Sequence, residues 1–127
     1  MSFTTRIDSD RRLSYVLGSG TVTFDDLAAA QRTLANDPAF DPTFPVLIDL
    51  RTVNDVRLTR QEMQSLVGIS AAAPSTRRAI LVGTPGVLGL ARLYEALREN
   101  QTTNDVVRAC QTIEEAISWL GVDQLDV

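Results

Sequence analysis

Residues 46–82 read VLIDLRTVNDVRLTRQEMQSLVGISAAAPSTRRAILV, a strand, a capped helix and a second strand in succession. Val46–Leu50 is almost continuously apolar, the pattern of a short strand covered on both faces. Thr59-Arg60-Gln61-Glu62 is a capping box, in which the threonine oxygen and the glutamate satisfy each other's free backbone N–H groups. It opens a helix expected to run to about Ala73, with Met63, Leu66, Val67 and Ser70 along one stripe. Ala79–Val82 is again apolar throughout. Two such strands joined through a helix make a right-handed crossover unit with parallel strands.

Working outward, the N-terminal side alternates. Ser2–Ile7 sets Phe3 and Ile7 among polar neighbours, Arg12–Leu17 alternates Leu13, Tyr15 and Leu17, and Asp8–Arg11 is a short turn between them. That pattern predicts an antiparallel hairpin with one buried face. Gly18-Ser19-Gly20 is expected to break the second strand. From Thr23, which supplies the cap oxygen, the spacing becomes helical, with Phe24, Leu27, Ala28 and Leu34 on one stripe ending near Asn36, and Asp26 favouring the positive helix start. The proline-rich segment Asp37–Pro45 reads as an ordered surface loop with Phe40 and Phe44 tucked beneath the domain. On the C-terminal side, Pro85–Glu99 reads as a helix with Val87, Leu90, Ala91, Tyr94 and Leu97 inward. Val106–Cys110 reads as a strand, and Thr112–Glu115 as a further complete capping box. The last helix it opens is expected to stop at Gly121. The whole predicts an α/β fold in the order β-β-α-β-α-β-α-β-α. Its sheet is mixed and mostly parallel, four- to five-stranded, opened by an antiparallel hairpin and carrying four helices, all in one domain over residues 1–127.

Composition removes whole classes of chemistry. The chain has 127 residues, a formal charge of −4, 44% hydrophobic and 22% charged residues. Histidine is absent, and all 12 basic residues are arginine, so lysine is absent too. Ser–His or Cys–His nucleophile pairs, histidine metal sites, Schiff-base chemistry and the lysine of nucleotide-hydrolase loops are therefore excluded. The single cysteine, Cys110, forms no internal disulfide and no multi-cysteine metal site. The acidic balance, with Arg11-Arg12 and Arg77-Arg78 as isolated pairs, argues against nucleic acid. No window is apolar enough for a membrane span, and the segment Met1–Arg6 lacks a leader pattern, so a cytoplasmic location is expected. No metal and no cofactor is expected, and no catalytic residue is assigned.

The order of elements resembles the STAS domain (sulfate transporter and anti-sigma-factor antagonist), whose fold is that of stage II sporulation protein AA. Leu47-Ile48-Asp49-Leu50-Arg51 followed by a capped helix carries the resemblance. So do Gly89-Leu90-Ala91-Arg92-Leu93-Tyr94-Glu95 and Glu115-Ala116-Ile117-Ser118-Trp119-Leu120. It implies a bacterial regulatory module working by protein–protein contact, sometimes switched by phosphorylation of a hydroxyl opening the helix after the third strand. Thr59 occupies that position. Its neighbours, Arg57-Leu58-Thr59-Arg60, lack the family's preceding acid and following glycine, and the capping box alone accounts for the threonine.

Ligands of open parallel sheets gather beyond the carboxyl ends of the strands. The candidates there are Arg51, Asn54, Asp55 and Arg57 after the third strand and Thr84 and Gly86 after the fourth, with arginines and free helix-start N–H groups suited to an anion. The plain reading pairs the arginines with Asp49 and Asp55 as surface ion pairs. Asp49, interrupting an apolar strand, has no second carboxylate placed to work with it. Gly83 is expected to permit a turn and Gly89 close helix packing. Cys110 is expected to be a buried apolar residue, and Trp119 to sit at the edge of the core. The function expected first is a non-enzymatic regulatory module that binds a protein partner or itself. The alternative is binding of an anionic or lipid-like small molecule, in the strand-end loops or in a gap between helix and sheet left by Gly68 and Ala71–Ala73.

Overall fold

The computed structural model describes residues 3–101 and 106–127; Met1 and Ser2, the latter assigned above to the first strand, lie outside them. The elements are β1 (Phe3–Asp8), β2 (Leu13–Thr23), α1 (Phe24–Asn36), β3 (Val46–Arg57), α2 (Arg60–Val67), β4 (Arg78–Val82), α3 (Pro85–Gln101), β5 (Val107–Cys110) and α4 (Ile113–Leu120). Their order is the one expected. The five strands lie in chain order, β1 antiparallel to β2 and every later neighbour parallel.

That spatial order has a consequence for the helices. Each crossover adds its strand on the same side of the last, so crossovers of one hand place their helices on one face of the sheet. Val16, Val22, Ile80 and Val82 accordingly pack with Leu34 of α1 and with Val87 and Ala91 of α3. On the opposite face Leu13, Tyr15, Leu47, Ala79 and Leu81 pack with Ala116 and Leu120 of α4. Consecutive crossovers never diverge. The crevice that forms where strand order reverses, on which the strand-end candidates were placed, therefore has no counterpart here.

Two strands are longer than their hydrophobic pattern indicates. β2 continues through Gly18-Ser19-Gly20 to Thr23, and β3 continues past Leu50 to Arg57. Between Leu17/Asp49 and Ser19/Thr52, β2 advances two residues while β3 advances three, and a second extra β3 residue falls between Gly20/Val53 and Thr21/Asp55. Each bulge shifts the inward face by one residue and hides the alternation. Gly20 takes a left-handed conformation at φ 66°. The β3–β4 ladder ends at Leu50 and Val82, so Thr52–Arg57 pairs with β2 alone.

The capping boxes at Thr23 and Thr59 are both complete. At Thr112 only half forms: its Oγ1 accepts from Glu115 N, while the glutamate side chain meets that hydroxyl rather than the backbone N–H. Helix α2 stops at Val67, well short of Ala73, because Gly68 ends it. The segment beyond is tied down by Ala71 N to Gln31 Oε1, Ala72 N to Ser70 Oγ and Ala73 N to Pro42 O. Gly121 ends α4 at φ 70°.

Candidate functional site

The strand-end residues do not converge on an open anion site. Asp49 accepts from Arg51 Nε at 3.0 Å and from its Nη2 at 2.8 Å, and also from Arg51 N. This raises the guanidinium's pKa above its usual value, chiefly through the Asp49 hydrogen bond. Arg57 Nε donates to Asp55 at 2.9 Å, a pair open to solvent. Both are ion pairs between residues two apart on one strand. Asn54, Asp55 and Arg57 lie within β3 rather than in a loop, alongside Thr21–Thr23 of β2. Thr84 Oγ1 accepts from Val87 N and so caps α3, and Gly86 lies exposed in that helix's first turn. The structure does bring Arg51 against the start of the β4–α3 connection. A Cβ on Gly83 would stand 2.5 Å from the Arg51 carbonyl oxygen, so Gly83 serves close backbone approach. Gly89, expected to pack closely, has open space instead.

Thr59 is the N-cap of α2, exposed, its Oγ1 accepting from Glu62 N at 3.0 Å. Cys110 is buried, and burial pushes its thiol pKa up to about 11. Trp119 sits at the core edge, its indole N–H donating to the carbonyls of Arg78 and Val106. The guanidiniums of Arg77 and Arg108 stack on its ring at 4.7 and 4.3 Å. Among the described residues the exposed large apolar side chains are Leu93 and Val127.

A space suited to an apolar ligand lies elsewhere. A cavity of about 100 Å³ opens between the sheet and the three helices on its first face. The sheet contributes Val22, Ile48, Leu50, Val56 and Ile80; α1 contributes Leu27 and Gln31. Met63 and Leu66 come from α2 with Leu58 and Ile69 flanking it, and Val87, Leu90, Ala91 and Tyr94 come from α3. Gln31 and Tyr94 are the polar members, and Gln31 Oε1 already accepts from Ala71 N at 3.0 Å. A gap between helix and sheet is thus present, but the small residues proposed to open it do not line it. Ala71 and Ala72 pack against the core. The sequence signal is spread over six elements and the two residues flanking α2, with one to four residues in each, which no local pattern reveals. Among the described residues no group of three or more acidic or cysteine side chains is placed to hold a metal ion. No helix among them is long and apolar enough to cross a membrane.

No protein-family model matches the sequence, and no curated protein matches it. Among solved structures the chain is similar to an uncharacterised protein of the DUF3478 family with a SpoIIAA-like fold from Shewanella loihica PV-4. The likeness covers 93% of this chain and 91% of that one, with 16% identity and a TM-score of 0.56. The fold is therefore SpoIIAA-like, the fold of STAS domains.

Proposed function

We propose that this chain is a non-enzymatic SpoIIAA-like module that binds a small, mainly apolar molecule between its sheet and helices α1–α3. The observation that carries the reading is the cavity itself: about 100 Å³, with thirteen of its fifteen lining residues apolar. Interiors pack with few voids larger than a water molecule, so this apolar recess, partly open at the surface, departs from the close packing around it. A cavity of about 150 Å³ with a similar lining stays dry and takes up benzene, which scales this one to a body of about four to six carbons. Burial of apolar surface would supply the affinity.

The protein-binding, regulatory role implied by the family resemblance is supported by the fold, and a bacterial cytoplasmic setting fits that role. It draws less support from the surface, where no broad apolar patch is displayed among the described residues. The two roles are compatible, with ligand occupancy under three helices altering the face they present.

The test is titration of isotope-labelled protein with 1-hexanol, followed by amide resonances. Saturable shifts concentrated in β3, β4 and α1–α3 are expected. No saturable change up to the solubility of the alcohol, or shifts confined to the α4 face, would remove the proposal.

A further inference from the structure

One buried charge lies near the cavity with no counter-charge among the described residues. Arg78 begins β4 and is only 4% exposed. Side chains alternate along a strand, so Arg78 leaves the same face as Ile80, a cavity residue about 6.6 Å further along. Two other links tie it to the cavity. Its Nη1 donates to Ser70 Oγ, and Ser70 follows the cavity residue Ile69. Tyr94, also a cavity residue, lies within electrostatic reach of the guanidinium.

The guanidinium is poorly compensated. Its Nε is buried with no acceptor among the described residues, and no carboxylate among them pairs with it. Burial pushes its pKa below the usual value, and a second guanidinium acts in the same direction. That second group is Arg98, one helical turn beyond Tyr94 on α3 and 7% exposed. Burying a charge without a partner is strongly unfavourable, and a hydrogen-bonded anion relieves it. A buried cation beside an apolar cavity, linked to it through Ile80, Ser70 and Tyr94 rather than lining it, is an arrangement that can receive a molecule with an anionic head and a hydrocarbon body.

We propose that the ligand is a short-chain monocarboxylate, its hydrocarbon tail in the cavity and its carboxylate on the Arg78 guanidinium. This rests on the cavity reading and specifies its ligand class. Each buried methylene contributes about fourfold in affinity, and a charge-assisted hydrogen bond about tenfold to a hundredfold. Hexanoate and 1-hexanol share a tail and differ in the head, so comparing them separates the two proposals.

Calorimetric titration of the full chain at neutral pH is expected to show hexanoate binding at least tenfold tighter than 1-hexanol. R78M is expected to abolish that preference. The Arg78 Nε–H resonance of the unsubstituted protein should shift with hexanoate and not with hexanol, a readout that stands if R78M fails to fold. Equal binding, or tighter binding of hexanol, overturns the carboxylate assignment while leaving the cavity reading intact. Binding of neither overturns both. A hexanoate preference that persists in folded R78M overturns the role of Arg78.

Discussion

Filling the cavity from α3 should raise stability and remove binding in one step. Ala91 lines the cavity and is 6% exposed. Its replacement by leucine adds three carbons, which at about 0.8 kcal/mol for each buried methylene is worth up to about 2.4 kcal/mol. The volume gives a similar ceiling: about 24 cal/mol per Å³ over a cavity of about 100 Å³ is also about 2.4 kcal/mol. Imperfect fit in a packed interior costs about 1–3 kcal/mol. The expected net effect of A91L is a gain of up to about 1.4 kcal/mol in urea unfolding without ligand, an increase of up to about 5 °C in Tm for a chain of this size. The same variant should bind 1-hexanol at least tenfold more weakly. Loss of about 2 kcal/mol or more with binding retained would refute the reasoning, since it would mean that Ala91 already meets a filled interior and the ligand binds elsewhere.

Three further outcomes follow from particular contacts. G83A should lose about 2–3 kcal/mol in urea unfolding, because its Cβ would strike the Arg51 backbone, whereas G89A, in open space within a helix, should gain about 0.5–1 kcal/mol. T59A should cost about 1 kcal/mol through loss of the α2 cap, with T59S restoring most of it. Cys110 should resist alkylation by iodoacetamide at pH 8 in the folded protein and react once unfolded. Its thiol holds its proton up to about pH 11 in the fold against 9.0 in the open chain, so its contribution to stability is complete below pH 9 and is lost as the pH rises through that window, measurable by urea unfolding across pH.

The element order was legible in the sequence because strands and helices here keep their own periods, and because Thr23 and Thr59 with their partners mark two helix starts. The ends of β2 and β3 were not. Their bulges break the two-residue alternation just where Thr52, Asn54 and Asp55 make the segment look like a loop. That misreading turned Arg51 and Arg57 into strand-end candidates, when each is held by an aspartate two residues away on its own strand. The pairing itself was the plain expectation from spacing. Ser70, read as part of a helical stripe, lies beyond the end of α2 and accepts from Arg78 instead. Arg78 carried a usable signal. Next to Arg77 it looks like half of a solvated pair, yet extending β4 by one residue puts it on one face with Ile80 and Val82. The cavity had no such signal, being a shortfall of volume among residues distant in sequence.

A crystal structure determined under xenon pressure tests the account most directly, because xenon occupies apolar voids and little else. A xenon atom bounded by Leu50, Leu66, Ile80 and Ala91 is expected, with none at the Arg51–Asp49 and Arg57–Asp55 pairs. A space closed by repacked side chains, or held by ordered water that excludes xenon, would contradict it.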